Sequence, residues 1–189
     1  MGRTAGYLLA LFAGGVLSLV FYGISLPLRR RNVQAGGLCS SRKREAAMAF
    51  FWMYCGGMAV LTLLPRWVVP SIGDFLAQGI WNAGGEPFFS LGGINLIPFA
   101  TFGDSYILVG NIVMFLPFGF FPALLFRGHH WRKALLTGFC VTSVIEITQL
   151  FVGRAFDIDD LMLNTLGAFC GFALQKALGR GLYCIPAGK

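Results

Sequence analysis

The groups in this chain best suited to chemistry crowd into one stretch. Glu146-Ile-Thr-Gln149 is followed by Arg154-Ala-Phe-Asp157-Ile-Asp159-Asp160 and then by Asn164. Neighbouring carboxylates can serve as acid and base when their surroundings push their pKa values apart. Oxygen donors of this kind also suit Mg²⁺ or Ca²⁺, which makes a divalent cation a candidate ligand. An arginine among carboxylates suits a zwitterionic headgroup or a peptide. Glu146 and Gln149 are three apart and share a helix face. If the helix that follows extends backwards, Asp157, Asp160 and Asn164 fall three and four apart on one stripe. Two upstream amides, Asn95 and Asn111, complete the candidate set. The competing reading is a buried network. In it Arg154 neutralises Asp157 or Asp159, and Gln149 or Asn111 caps Glu146.

What must position these residues follows from composition. Of 189 residues, 56% are hydrophobic and only 12% charged, with a mean hydropathy of +0.70. A soluble domain carries about 25% charged residues. So few charges cannot solvate a folded surface of this size, whereas a bilayer removes the need. A spanning helix takes about 20 apolar residues, and five such runs are present: about Tyr7–Leu28, Ala46–Leu64, Tyr106–Phe126, Ala134–Val152 and Leu161–Leu178. The expected fold is an all-α integral membrane protein with five transmembrane helices. The first run is longer than a signal-peptide core and is followed at once by Arg29, Arg30 and Arg31, so it reads as an uncleaved helix.

Basic residues then set the expected orientation. Loop 29–45 carries six, the loop Arg127–Lys133 three, and the C-terminal end Lys176, Arg180 and Lys189. Arg3, Arg66 and Arg154 fall on the other side. Twelve against three places the first group in the cytoplasm, the N-terminus outside and the C-terminus inside. The organisation expected is two helices with a basic cytoplasmic loop over 1–64, then an extracytoplasmic interfacial segment over 65–105. A three-helix core over 106–178 and a cytoplasmic tail over 179–189 follow. Segment 65–105 carries Trp67, Phe75, Trp81, Phe88, Phe89, Phe99 and Phe102, residues that favour the headgroup region. In this topology Asn95, Asn111, Glu146 and the acidic run all lie near the outer leaflet, on evidence from basic residues elsewhere.

Other chemistries find no motif. The net charge of +7 comes largely from one loop between apolar runs, and no nucleic-acid-binding pattern accompanies it. The five cysteines lack CxxC spacing and read as small hydrophobes. His129 and His130 are adjacent in a short basic loop and read as interfacial charge. There is no GxxxxGK[ST], GxGxxG, HExxH or GxSxG, and no cofactor is evident. Gly167-Ala-Phe-Cys-Gly171 is a GxxxG run, read as packing within the molecule.

Four motifs in order carry a family resemblance. They are Asn95-Leu-Ile-Pro98-Phe99, Asn111 with Phe115-Leu-Pro117-Phe-Gly119, Glu146-Ile-Thr-Gln149, and Arg154-Ala-Phe-Asp157-Ile-Asp159-Asp160 with Asn164-Thr-Leu-Gly167. Over about residues 95–175 the chain resembles the VanZ-like membrane proteins. The family's namesake is associated with resistance to teicoplanin, a lipid-tailed glycopeptide that acts outside the cell on cell-wall precursors. The resemblance implies a multi-pass cell-membrane protein with an envelope role. The leading expectation is binding of an outer-leaflet lipid, a lipid-linked cell-wall precursor or a lipoglycopeptide, with teicoplanin-type resistance as its outcome. The alternative is a membrane-embedded enzyme acting on such a lipid, with Glu146 and Asp157, Asp159 or Asp160 as acid/base groups or metal ligands. A transporter is the third class, and the inner halves of these helices offer few ionisable groups for its path.

Overall fold

The structure, a computed structural model, describes residues 2–65, 67–79, 87–100, 103, 105–179, 181–183 and 185–186, without the side chains of 2–5, 76–78 and 185–186. Arg66, Trp81, Phe102, Arg180, Lys189 and one of the five cysteines, Cys184, lie outside the described residues, as does the side chain of Arg3.

Six α-helices occur among the described residues: α1 (Gly2–Ala35), α2 (Arg42–Leu63), α3 (Val68–Gln78), α4 (Ser105–Leu125), α5 (Trp131–Phe151) and α6 (Ile158–Leu178). All but α3 are long and apolar enough to cross a membrane, and they coincide with the five apolar runs. The protein is thus an all-α membrane protein. The 34 residues of α1 rise about 50 Å, more than the roughly 30 Å of a hydrocarbon core. Its arginine-bearing last turns therefore lie beyond the apolar stretch. Four two-residue strands complete the elements: β1 (Leu38–Cys39), β2 (Ile94–Asn95), β3 (Phe156–Asp157) and β4 (Ile185–Pro186). β1 pairs antiparallel with β4, and β2 parallel with β3.

The chain divides into two compact units. The first comprises residues 1–21, 52–95 and 144–157. Within it Ser18 Oγ donates to Trp52 O at 2.7 Å, tying α1 to α2. The 65–105 segment contributes α3, an 11-residue helix too short at about 16 Å to cross a bilayer. It stops at Gly79, whose φ of 70° is left-handed and whose N–H returns to Phe75 O at 2.8 Å. Glycine adopts that conformation without the steric cost of a Cβ.

The second unit comprises residues 22–51, 96–143 and 158–189. Its core joins Tyr22, Met48 and Leu125, with Leu26, Phe121 and Leu124 packed against them. Phe51 stacks on Phe121 at 5.3 Å between centroids and meets Phe118 edge-on at 5.9 Å. Helix α2 starts where Ser41 Oγ accepts the Arg44 N–H, a serine N-cap. Glu45 in its first turn takes Arg29 at 2.5 Å and the Tyr22 hydroxyl at 2.8 Å. The GxxxG run brings α6 onto α4: a Cβ added at Gly171 would lie 1.9 Å from Leu116 O, and one at Gly167 2.4 Å from Ile112 O. Only glycine permits backbones this close, so the run is used for packing inside the molecule.

Candidate functional site

In the first unit the candidate residues gather where α5 ends. The helix stops at Phe151; Gly153 follows with φ of 74°, and the Arg154 N–H turns back to Gln149 O at 3.0 Å. Residues 90–95 run beside this turn. Ser90 N donates to Phe151 O, Gly92 N to Leu150 O, and Phe156 N to Gly93 O. The approach is tight enough that a Cβ at Gly92 would lie 1.7 Å from Arg154 O. The pairing sets Asn95 opposite Asp157, and Asn95 Nδ2 donates to Asp157 Oδ2 at 3.1 Å. Glu146, only 1% exposed, accepts the Asp157 N–H on Oε2 at 2.9 Å.

Two further candidates of this unit serve another helix end. The last carbonyls of an α-helix have no partner within the helix. In α2, which ends at Leu63, Leu61 O receives Arg154 Nη1 and Thr62 O receives Gln149 Nε2, both at 3.1 Å. A guanidinium at a helix C-terminus is also favoured by the helix dipole. Glu146, Gln149 and Arg154 thus close backbone polar groups at one chain reversal and one helix end, while Asn95 and Asp157 join β2 and β3 through their side chains. Arg154, read from the sequence as the neutraliser of Asp157 or Asp159 in a buried network, donates through Nη1 to the Leu61 carbonyl.

The second unit holds the remaining four. Helix α6 begins at Ile158, so Asp157 lies on β3 and not on the helical stripe, while Asp160 and Asn164 keep their four-residue spacing. Asp159 and Asp160 occupy the first turn of α6, where the dipole favours negative charge. Asp159 is fully buried and accepts the Phe99 N–H on Oδ1 at 2.6 Å. Phe99 has φ of 66°, a left-handed conformation that costs a non-glycine residue about 1 kcal/mol or more. Asp159 thus pins a strained turn in Asn95-Leu-Ile-Pro98-Phe99. Asn111 of α4 donates through Nδ2 to Asp160 Oδ1. Asn164, 4% exposed, donates through Nδ2 to Thr142 Oγ1 on α5 at 2.9 Å. Its Oδ1 is buried and has no hydrogen-bond partner among the described residues.

Sequence reasoning missed Thr142, Phe99 and the carbonyls of Leu61 and Thr62. The only trace of Thr142 is a hydroxyl in an apolar run. Phe99 carried a signal, since it stands inside a recognised motif. No three His, Cys, Asp or Glu residues come together as a metal-binding group among the described residues.

Five helices long and apolar enough to cross a membrane, with buried amides and carboxylates in each unit, define a polytopic membrane protein. A sequence profile of the VanZ/LLP1 family matches residues 51–179, more than half of the chain. The chain belongs to the VanZ/LLP1 family. The match reaches well upstream of the motifs, to include most of α2 and all of α3. A protein named Protein VanZ from Enterococcus faecium is 30% identical over 82 residues, 43% of this chain. The likeness spans about half of that relative, 51% of its length. No solved structure matches the chain.

Proposed function

We propose that this protein holds a lipid-anchored envelope molecule in the outer leaflet, a lipid-linked cell-wall precursor or a lipoglycopeptide, through hydrogen bonds to a polar headgroup. The observation that supports this most is Asn164. Its amide is tied down at Nδ2 by Thr142, while its oxygen sits buried with no donor among the described residues. A buried acceptor left unmet costs about 1–3 kcal/mol, and a ligand hydroxyl or amide removes that cost. Peptide and sugar headgroups supply such donors. The distant likeness to a protein named VanZ supports tolerance of teicoplanin as the cellular outcome.

The test compares wild type with Asn164→Ala. Purified protein is titrated with an undecaprenyl-linked disaccharide-peptide precursor by native mass spectrometry, and teicoplanin tolerance is scored in cells matched for expression. The expected result is normal abundance with binding weakened about fivefold, the equivalent of one neutral hydrogen bond of about 1 kcal/mol, together with lost tolerance. Wild-type binding and tolerance in a well-expressed Asn164→Ala protein overturn the reading.

The same proposal puts the N-terminus outside, on the strength of the twelve-to-three distribution of basic residues. In a cysteine-free background, Asp74→Cys should react with an impermeant maleimide on intact cells and Gln34→Cys should not. The opposite labelling pattern moves the polar residues to the cytoplasmic leaflet and removes an extracellular ligand.

A further inference from the structure

A second feature of the molecule points to a different lipid in a different place. On the second unit a groove of about 480 Å³ runs between α5 and α6, lined by Trp131, Leu135, Leu166, Phe169, Phe172 and Ala173, with no polar atom exposed in its lining. The volume falls within the range of about 300–1,000 Å³ typical of ligand sites. Its α6 lining runs from Leu166 to Ala173, seven residues and about 10 Å of rise, so the groove reaches most of the way through one leaflet of about 15 Å.

Its charged end distinguishes it from ordinary lipid-facing surface. Lys176 Nζ stands 5.4 Å from the centroid of Phe172, and the Arg132 guanidinium 5.2 Å from that of Trp131; both rings line the groove. Arg132 and Lys176 are exposed, and neither has a carboxylate within ion-pairing distance among the described residues. Long basic side chains lay their stems on apolar surface and keep their charge at the headgroup level. The His129 ring lies 6.2 Å from Phe172. Burial, then Lys133, His130 and Lys176, hold its pKa below the ordinary histidine value. The groove thus ends in a positive field with no acid paired to Arg132 or Lys176 among the described residues.

We infer that this groove takes an acyl chain of an anionic glycerophospholipid, phosphatidylglycerol-like in charge, whose phosphate is held by Arg132 and Lys176. Orientation of cationic loops accounts for the number of basic residues. It does not account for two of them lying over the rings of one apolar groove. The site is independent of Asn164, so each reading can fail alone.

The experiment uses the full chain with Trp52, Trp67 and Trp81 changed to Phe, leaving Trp131 as the reporter. It is reconstituted in vesicles of brominated phosphatidylcholine diluted with unlabelled phosphatidylglycerol or unlabelled phosphatidylcholine. Phosphatidylglycerol should relieve Trp131 quenching with at least about fivefold preference, given about 1 kcal/mol per basic residue near an anionic surface. Arg132→Gln with Lys176→Gln should bring the preference close to one, and Ala173→Phe should reduce quenching by either lipid. If the triple Trp variant does not fold, native mass spectrometry of wild type and of Arg132→Gln/Lys176→Gln counts retained phosphatidylglycerol directly. Equal competition by the two lipids in wild type, or an undiminished preference or retention in Arg132→Gln/Lys176→Gln, overturns the inference.

Discussion

The two units hold similar polar residues and use them differently. In the first, Asn95 and Asp157 join side chains, but Glu146, Gln149 and Arg154 bond to the main chain: the Asp157 N–H, Thr62 O and Leu61 O. In the second, Asp159 takes the Phe99 N–H, but Asn111 and Asn164 bond to side chains, Asp160 and Thr142, and Asn164 keeps an acceptor unmet among the described residues. Irregular backbone inside an apolar solvent must find partners within the protein, and the first unit satisfies that requirement with its acid and arginine. Charge in a span is thus no sufficient sign of a ligand site. Here the neutral amide, not the arginine–carboxylate run, carries the better evidence for one.

The largest effect expected from this contrast is at Glu146. Glu146→Leu removes the acceptor of a main-chain donor while leaving the donor in place. A hydrogen bond to a charged group contributes about 1.5–3 kcal/mol, and orphaning its partner adds desolvation cost. Folded yield in detergent should fall sharply, with about 3 kcal/mol lost. Glu146→Gln keeps a carbonyl oxygen in the same place and should lose about 1 kcal/mol, the gap between a charged and a neutral acceptor. Thermal unfolding followed by size-exclusion chromatography separates the two. A Leu variant as stable as the Gln variant would erase the distinction between the units, because Glu146 would then hold no backbone in place.

How much of this was legible depended on the range of the signal. Apolar runs are local, and all five spanning helices appear where those runs lie; α2 starts earlier than its run, at Arg42, because basic residues such as Arg42 and Arg44 are good helix formers outside the apolar core. Helix α3 was not foreseen: it is short and lies in a segment rich in Gly, Pro and aromatic residues. The candidate residues were legible as types because ionisable and amide groups are rare in such a sequence. Their partners were not. Asn95 meets Asp157 across 62 positions and Arg154 meets Leu61 across 93, and no local pattern encodes a pairing with a carbonyl. Asp157 was expected on a helical stripe if α6 began early. Its pairing with Asn95 on β2 and β3 claims the backbone first.

The smallest effect expected is at Thr142, and it tests the second unit's side of the contrast. Thr142 is fully buried, and valine matches its shape, so Thr142→Val removes one hydroxyl with little change in packing. The Asn164 Nδ2 then has no acceptor there, and the amide is left with unmet groups at both ends. The cost should be about 1 kcal/mol, the net value of one neutral hydrogen bond. Replacing both members tells more. Thr142→Val with Asn164→Leu removes the stranded donor and the stranded acceptor together, and such paired replacement by apolar groups is nearly neutral. The double variant should therefore be no less stable than Thr142→Val alone, with a coupling of at least about 0.5 kcal/mol in a double-mutant cycle on detergent melting temperatures. If the two changes simply add, the pair contributes nothing as a unit, and the second unit's polar groups are no better organised than isolated amides in an apolar span. If they couple as expected, Thr142 and Asn164 act as a unit, and on the proposed reading the double variant should be stable yet bind the precursor more weakly than wild type.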